Sequence, residues 1–176
     1  MALSLEDGSE RWRGSLAEAG EISTPSVADG IAAAASGLDT DDPAARGVVA
    51  LDSATGEVAW RYASPTQDQL YSPAIVDGVA YVLGHDSKIV ALDAKTGEQR
   101  WAVVADGELE ALPSVAGGVL YTATNNGVIL AIDTRDGDEL WRVPLQGIPW
   151  AATVTGGYVL IGTSVGTLYA IGGSGS

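Results

Sequence analysis

The sequence predicts an all-β fold, a β-propeller with four four-stranded antiparallel blades per chain. Three observations carry this. An eleven-residue frame recurs about every forty residues, two-residue turn signals punctuate each copy, and no window has a convincing 3.6-residue apolar period. The frame reads Ala50-Leu-Asp-Ser-Ala-Thr-Gly-Glu-Val-Ala-Trp60. It returns as Ala91-Leu-Asp-Ala-Lys-Thr-Gly-Glu-Gln-Arg-Trp101 and as Ala131-Ile-Asp-Thr-Arg-Asp-Gly-Asp-Glu-Leu-Trp141. A weaker copy runs from Ala2 to Trp12, and a truncated one, Tyr169-Ala170-Ile171, closes the series. The tryptophans at 12, 60, 101 and 141 are spaced by 48, 41 and 40 residues, the first interval being lengthened by an inserted loop, Ser36 to Gly47. Repeats of this length with four short strands read as propeller blades. A small sheet cannot cover its own faces, so its neighbours must do so.

In chain order, the N-terminus supplies the end of a third strand and then a fourth, Ser9 to Arg13. The stretch Arg13 to Glu21 is the one expected helical turn. The clearest complete blade starts with Ser72 to Val76 and turns at Asp77-Gly78, a dipeptide that tolerates the positive φ angles of a tight hairpin. It continues with Val79 to Leu83, the turn Gly84-His85-Asp86-Ser87, and Ile89 to Leu92. The turn Asp93 to Gly97 then leads into Gln99 to Val103. The hairpin signal recurs at Asp29-Gly30, Gly117-Gly118 and Gly156-Gly157. Pro25, Pro73 and Pro113 stand at first-strand starts, where no ladder donor is needed. Three strands end the series, roughly Ala151 to Val154, Tyr158 to Ile161 and Thr167 to Ile171. Residues 1–171 thus read as one domain, followed by a flexible Gly/Ser tail, 172–176.

Composition excludes several chemistries. Among 176 residues there is no Cys, so disulfides and thiolate chemistry are excluded, and the single His leaves little room for a zinc site. Nine Lys+Arg against 23 Asp+Glu give a net charge of −14, which repels nucleic acid and anionic membrane surfaces. No apolar run is long enough to span a bilayer, and no basic-then-apolar leader follows Met1. The partners expected therefore include no nucleic acid and no membrane insertion. Of the nine cations only Lys88 and Lys95 are lysine, Phe is absent, and Asp is abundant. Together these features read as the surface of a halophilic, haloarchaeal protein, where carboxylates stay hydrated and salt screens their repulsion.

The frame Ala-Leu-Asp-x-x-Thr-Gly-x-x-x-Trp, with Ser-Pro and Asp-Gly upstream, resembles the pyrroloquinoline-quinone-type (PQQ-like) propeller repeat of BamB-type proteins, from Ala2 to Ile171. The resemblance implies that Trp12, Trp60, Trp101 and Trp141 are wedges between blades and that Asp52, Asp93 and Asp133 fix the turn into the last strand. It also implies an extracellular or cell-surface setting. Quinoprotein dehydrogenases of the same family hold their quinone between a Trp and a disulfide, beside a calcium. Without cysteine this chain is expected to bind no such cofactor and to be no enzyme.

Other candidates are weaker. His85-Asp86 sits in a tight turn whose counterpart is Asn125-Asn126-Gly127, so a solvated turn explains it better than acid–base chemistry. Asp39, Asp41 and Asp42 crowd the inserted loop as hard-oxygen donors, without the full calcium-loop pattern. Glu108 and Glu110 flank Leu109 in an inter-blade loop. The loops at one end of a propeller are the natural binding face, and there Gln69, Tyr71, His85, Glu110 and Trp150 are the candidates for an unknown protein partner. The reading is a non-catalytic binding or scaffold propeller. Its competitors are a degenerate or excised piece of a quinoprotein dehydrogenase and an engineered repeat chain with no ligand. Blades of this repeat pack for rings of seven or eight. Four of them therefore read as half of an eight-bladed ring, completed in a head-to-tail homodimer whose N-terminal strand finishes the last blade, in preference to a self-closed four-bladed monomer or a piece of a longer chain.

The charge reading makes a direct prediction. The melting temperature should climb steadily between about 0.1 M and above 1 M salt, as the screening length falls from about 10 to 3 Å. A melting temperature that stays flat in calorimetry across that range overturns the high-salt reading.

Overall fold

Backbone hydrogen bonding organises the chain into short antiparallel sheets. The structure, a computed structural model, describes residues 1–14, 20–39, 42, 45–66, 68–109 and 111–172. Most of the expected helical turn between Arg13 and Glu21 lies outside those residues. The first sheet pairs β1 (Ala2–Leu3) with β2 (Glu10–Trp12). Three sheets of four strands follow, each in sequence order. They are β3 (Ser26–Ala28), β4 (Ile31–Ser36), β5 (Gly47–Asp52) and β6 (Val58–Ala63); β7 (Ala74–Val76), β8 (Val79–Leu83), β9 (Lys88–Asp93) and β10 (Gln99–Val104); and β11 (Ser114–Ala116), β12 (Val119–Thr124), β13 (Val128–Asp133) and β14 (Glu139–Pro144). A three-stranded sheet, β15 (Pro149–Thr155), β16 (Tyr158–Thr163) and β17 (Leu168–Gly172), ends the series. No helix among the described residues is long and apolar enough to cross a membrane.

The hairpins form where the dipeptides placed them. Asp29 and Gly30 have φ of 53° and 81°, and Asp77 and Gly78 have 50° and 71°. Two consecutive positive φ values give the turn whose twist matches the flanking strands. The ladder registers repeat as closely. Ala50 faces Trp60 across β5 and β6, and Ala131 faces Trp141 across β13 and β14.

The chain divides into two compact units, Met1–Ala80 with Leu92–Glu98, and Tyr81–Ala91 with the chain from Gln99 onward. In the first unit the β3–β6 sheet carries a core of small side chains, with Ala33, Ala35 and Ala50 fully buried. Its first hairpin is tied to the next one, since the Gly78 amide donates to Asp29 Oδ2 at 2.9 Å. Trp60 is 7% exposed and its indole N–H donates to the Ala94 carbonyl at 2.8 Å. The flat ring lies over Gly97, where a Cβ would stand only 2.7 Å from it. Gly97 also has φ of 73°, so two separate reasons require glycine there.

In the second unit the same arrangement recurs. Trp101 is 8% exposed, donates to the Thr134 carbonyl at 3.0 Å, and lies against Gly137. Tyr81 tilts against Trp101 and Tyr121 against Trp141, with ring centres 6.0 and 5.8 Å apart, in the favourable range for aromatic pairs. Ile129 and Ala123 pack with Ala152, Val159 and Ile161 in one apolar cluster, flanked by Trp141 and Tyr169.

Because Trp101 is buried on all sides and also satisfies a carbonyl, Trp101→Ala should cost about 3–5 kcal/mol in a urea titration. A loss below about 1 kcal/mol means that the ring does not hold the sheets.

Candidate functional site

The frame's polar residues build turns. Asp52 Oδ1 accepts the amides of Ala54 and Thr55, both at 2.9 Å, and Asp93 Oδ1 accepts those of Lys95 and Thr96, both at 3.0 Å. Each carboxylate replaces the partners the turn's amides would otherwise lack. Thr55 and Thr96 then accept the amides of Glu57 and Glu98 at 3.3 Å. Asp136 does the same for Asp138 at 3.1 Å, which explains why Asp can stand where other copies have Thr.

Charge follows this geometry. Amide donation from Thr55 and Ala54 holds the Asp52 carboxyl below its usual range. The Arg135 side chain, with its amide, lowers Asp133 to about 2, and the two groups meet at 2.6 Å. Hydrogen bonding from Arg142 lowers Glu139 in the same way. Such groups stay ionised at neutral pH and suit structure better than proton donation.

The candidate residues fall on both units. In the first, the Gln69 side chain donates to the Leu38 carbonyl at 2.9 Å, so it anchors the inserted loop, and Tyr71 is half-buried. In the second, His85 is exposed in its turn, while Asp86 accepts the Lys88 amide at 3.2 Å and meets its ammonium at 3.3 Å. The corresponding Asn125 and Asn126 donate to Glu108 and to the Asp106 carbonyl at 3.0 and 2.9 Å. Glu110 lies outside the described residues, as does Asp41. Asp39 accepts the Glu21 amide at 2.5 Å. Among the described residues no three His, Cys, Asp or Glu side chains are grouped to hold a metal ion.

Trp150 differs from its expected place. Sequence reading puts it in a loop, but β15 begins at Pro149 and carries a bulge between Pro149 and Ala152. The bulge lets the strand start early and leaves the indole 57% exposed.

Sequence reading also missed a recess of about 340 Å³ on the β3–β6 sheet, bordered by Met1, Trp12, Val27, Ala32, Ala34 and Val49. Its lining is apolar, and Trp12 borders it while donating to the Ser53 carbonyl at 3.0 Å. A run of alanines reads as core packing, so the only signal was the small size of Ala32 and Ala34.

The repeat frame, its turns and its tryptophans match one family along the whole chain. Residues 1–102 and 45–176 fit the PQQ-like repeat family described as outer membrane protein assembly factor BamB. The chain belongs to that family. No curated protein matches the sequence. Two computationally designed proteins are similar in fold: Ika4, at a TM-score of 0.77 and 15% identity over 93% of this chain, and Ika8, at 0.72 and 14% over 85%. So is BamB from Moraxella catarrhalis, at 0.57 and 18% over 99%. A quinohemoprotein alcohol dehydrogenase, ADHIIG from Pseudomonas putida HK5, matches at 0.61 and 21% over 82%. The chain spans 98% of Ika4 but 45% of Ika8, 64% of that BamB and 28% of the dehydrogenase. At these identities the likeness is one of fold, the β-propeller of PQQ-like repeats.

Asp133 offers a test of the turn electrostatics. Its folded pKa is depressed, so the pair with Arg135 contributes above the ordinary carboxylate range and is lost as pH falls through about 2. Arg135→Ala should move the Asp133 titration, followed by carboxyl-carbon NMR, up toward 3.8. An unmoved midpoint shows that the guanidinium is not its cause.

Proposed function

We propose that the chain is a non-catalytic binding and scaffold module, built as half of an eight-bladed ring and suited to a halophilic host. The observation that carries this reading is how the frame's polar groups are used. Asp52, Asp93, Asp133 and their Thr or Asp companions are occupied by turn amides, and the tryptophan N–H groups of Trp12, Trp60 and Trp101 by carbonyls. What varies between copies is the loops, such as His85-Asp86 against Asn125-Asn126. Variable loops on a repeated scaffold suit recognition of a protein partner more than a fixed reaction. The family's description as an assembly factor agrees with that role. Gln69, Tyr71, His85, Glu110 and Trp150 are the residues assigned to the partner, and the family resemblance favours a cell-surface or extracellular setting. For the half-ring, the support is the span of nearly all of Ika4 and 45% of Ika8, together with a last sheet of three strands among the described residues. The −14 charge and the scarcity of lysine support the high-salt host.

A fragment of a quinoprotein dehydrogenase is the competing reading, favoured by the fold likeness to ADHIIG. The chain has no cysteine for the disulfide that such a quinone site uses. Titration with pyrroloquinoline quinone and calcium in molar salt separates the two, read by absorbance and by alcohol-dependent dye reduction. No saturable change is expected. One equivalent of bound quinone, with or without turnover, overturns the non-catalytic reading.

A further inference from the structure

We infer that a second copy of this chain covers the open face and edge of the β15–β17 sheet, its β17 displacing the partner's β1 from beside β2. This rests on the half-ring reading above and names what supplies the other half. Burial differs at equivalent positions of the sheets. Leu168 stands where Ile129 and Ile89 stand in complete sheets; those are fully buried, whereas Leu168 is 71% exposed. Tyr158, at the position of Val79 and Ile31, is 52% exposed against 5% and 6%. Both stand on one face of the sheet, and large apolar side chains open in this way are of the kind soluble proteins cover.

Side-chain size differs between the two faces as well. Across the cluster of the second unit, Ile129 and Tyr121 pack toward Ala152, Val159 and Ile161. The matching positions on the β3–β6 sheet are Pro25, Ala32 and Ala34, which line the recess of about 340 Å³. In place of Val159 and Ile161 that face offers two alanines, and in place of a covered neighbour its Val27 is 62% exposed, against 7% for the equivalent Ile75. One face of the chain therefore projects bulk and another lacks it. Laid on a second copy by the same repeat rule, the partner's Leu160 and Leu168 come opposite Ala32 and Ala34.

The backbone ladder is also incomplete at both places. Among the described residues β17 pairs with β16 alone, leaving an edge free. In a complete sheet Ala131 pairs with Trp141, Ile132 with Glu139 and Leu130 with Arg142. The chain's β2 carries Glu10 and Trp12, with Arg13 just beyond it, in that same frame, but its neighbour β1 is only two residues long, pairing Ala2 with Trp12 and Leu3 with Glu10. Those are the two pairings that Ala170 and Ile171 of an incoming β17 would make. The five-residue β17 would add a ladder pair of Tyr169 with Arg13, where β1 has ended and Arg13 reaches Met1 by a side-chain contact with its thioether, at 3.2 Å. Exposed edges invite such addition, and two copies exchanging it head to tail close a two-fold ring.

Light scattering after size exclusion in 2 M salt tests this directly. The expected mass is twice 17.9 kDa, and Leu168→Arg should return it to 17.9 kDa with an unchanged circular dichroism spectrum, since the residue is exposed in the single chain. In a chain otherwise free of cysteine, Arg13→Cys with Tyr169→Cys should close disulfides between chains, running at the doubled mass on a non-reducing gel. Any wild-type mass other than the doubled one overturns the inference, and so does a doubled mass that survives Leu168→Arg. A disulfide formed within a single chain overturns the half-ring reading as well. A single-chain mass without that disulfide removes only the second copy as partner, leaving the other half of the ring to a different chain.

Discussion

One contact sets the architecture: an indole ring resting on a glycine of the following turn while its N–H reaches a carbonyl of the same turn. It occurs for Trp12 over Gly56 and Ser53, Trp60 over Gly97 and Ala94, and Trp101 over Gly137 and Thr134. A buried indole needs a hydrogen-bond acceptor, and its flat face tolerates no Cβ beneath it. Both demands are met only if the turn has a fixed shape. The Asp that accepts the turn's amides, two at Asp52 and Asp93 and that of Arg135 at Asp133, gives it that shape, so the aspartate, the glycine and the tryptophan form one device. Removing any one of them loosens the other two.

That device ties turn carboxylates to the scaffold. Asp52 and Asp133 are held ionised by amides or by Arg135, and Glu139 by Arg142. Groups tied to the scaffold in this way are not free to change protonation near neutrality. On the proposed reading recognition falls to loops and exposed side chains, which the repeat does not constrain. Gln69 is a partial exception, because its side chain already holds the Leu38 carbonyl.

Repetition also makes the incomplete parts informative. Where a sheet has its neighbour, equivalent positions are buried whatever their identity, as Ile89 and Ile129 are. Where it has none, the same position is open, as at Leu168. The alanines of β4 pack closely on one face, where Ala33 and Ala35 are fully buried. On the other face Ala32 and Ala34 leave a recess. One strand thus packs tightly on one side and borders an open recess on the other.

The sequence by itself determined the repeat, the strands, the Asp-Gly and Gly-Gly hairpins and the pairing of the turn aspartates with the tryptophans. These depend on local backbone preference and on spacing, which eleven residues are enough to express. Strand ends were legible to within a residue or two, because ladder bonds at the ends are weak and depend on the neighbouring strand. Tertiary structure alone decided that glycines 56, 97 and 137 are floors for indole rings, since a glycine explained by its φ gives no sign of what lies above it. It also decided that Trp150 rides on a bulge and that Ala32 and Ala34 border a recess. A bulge is set by the partner strand's register, and a recess by what fails to cover it, so neither is written in the residues that form it.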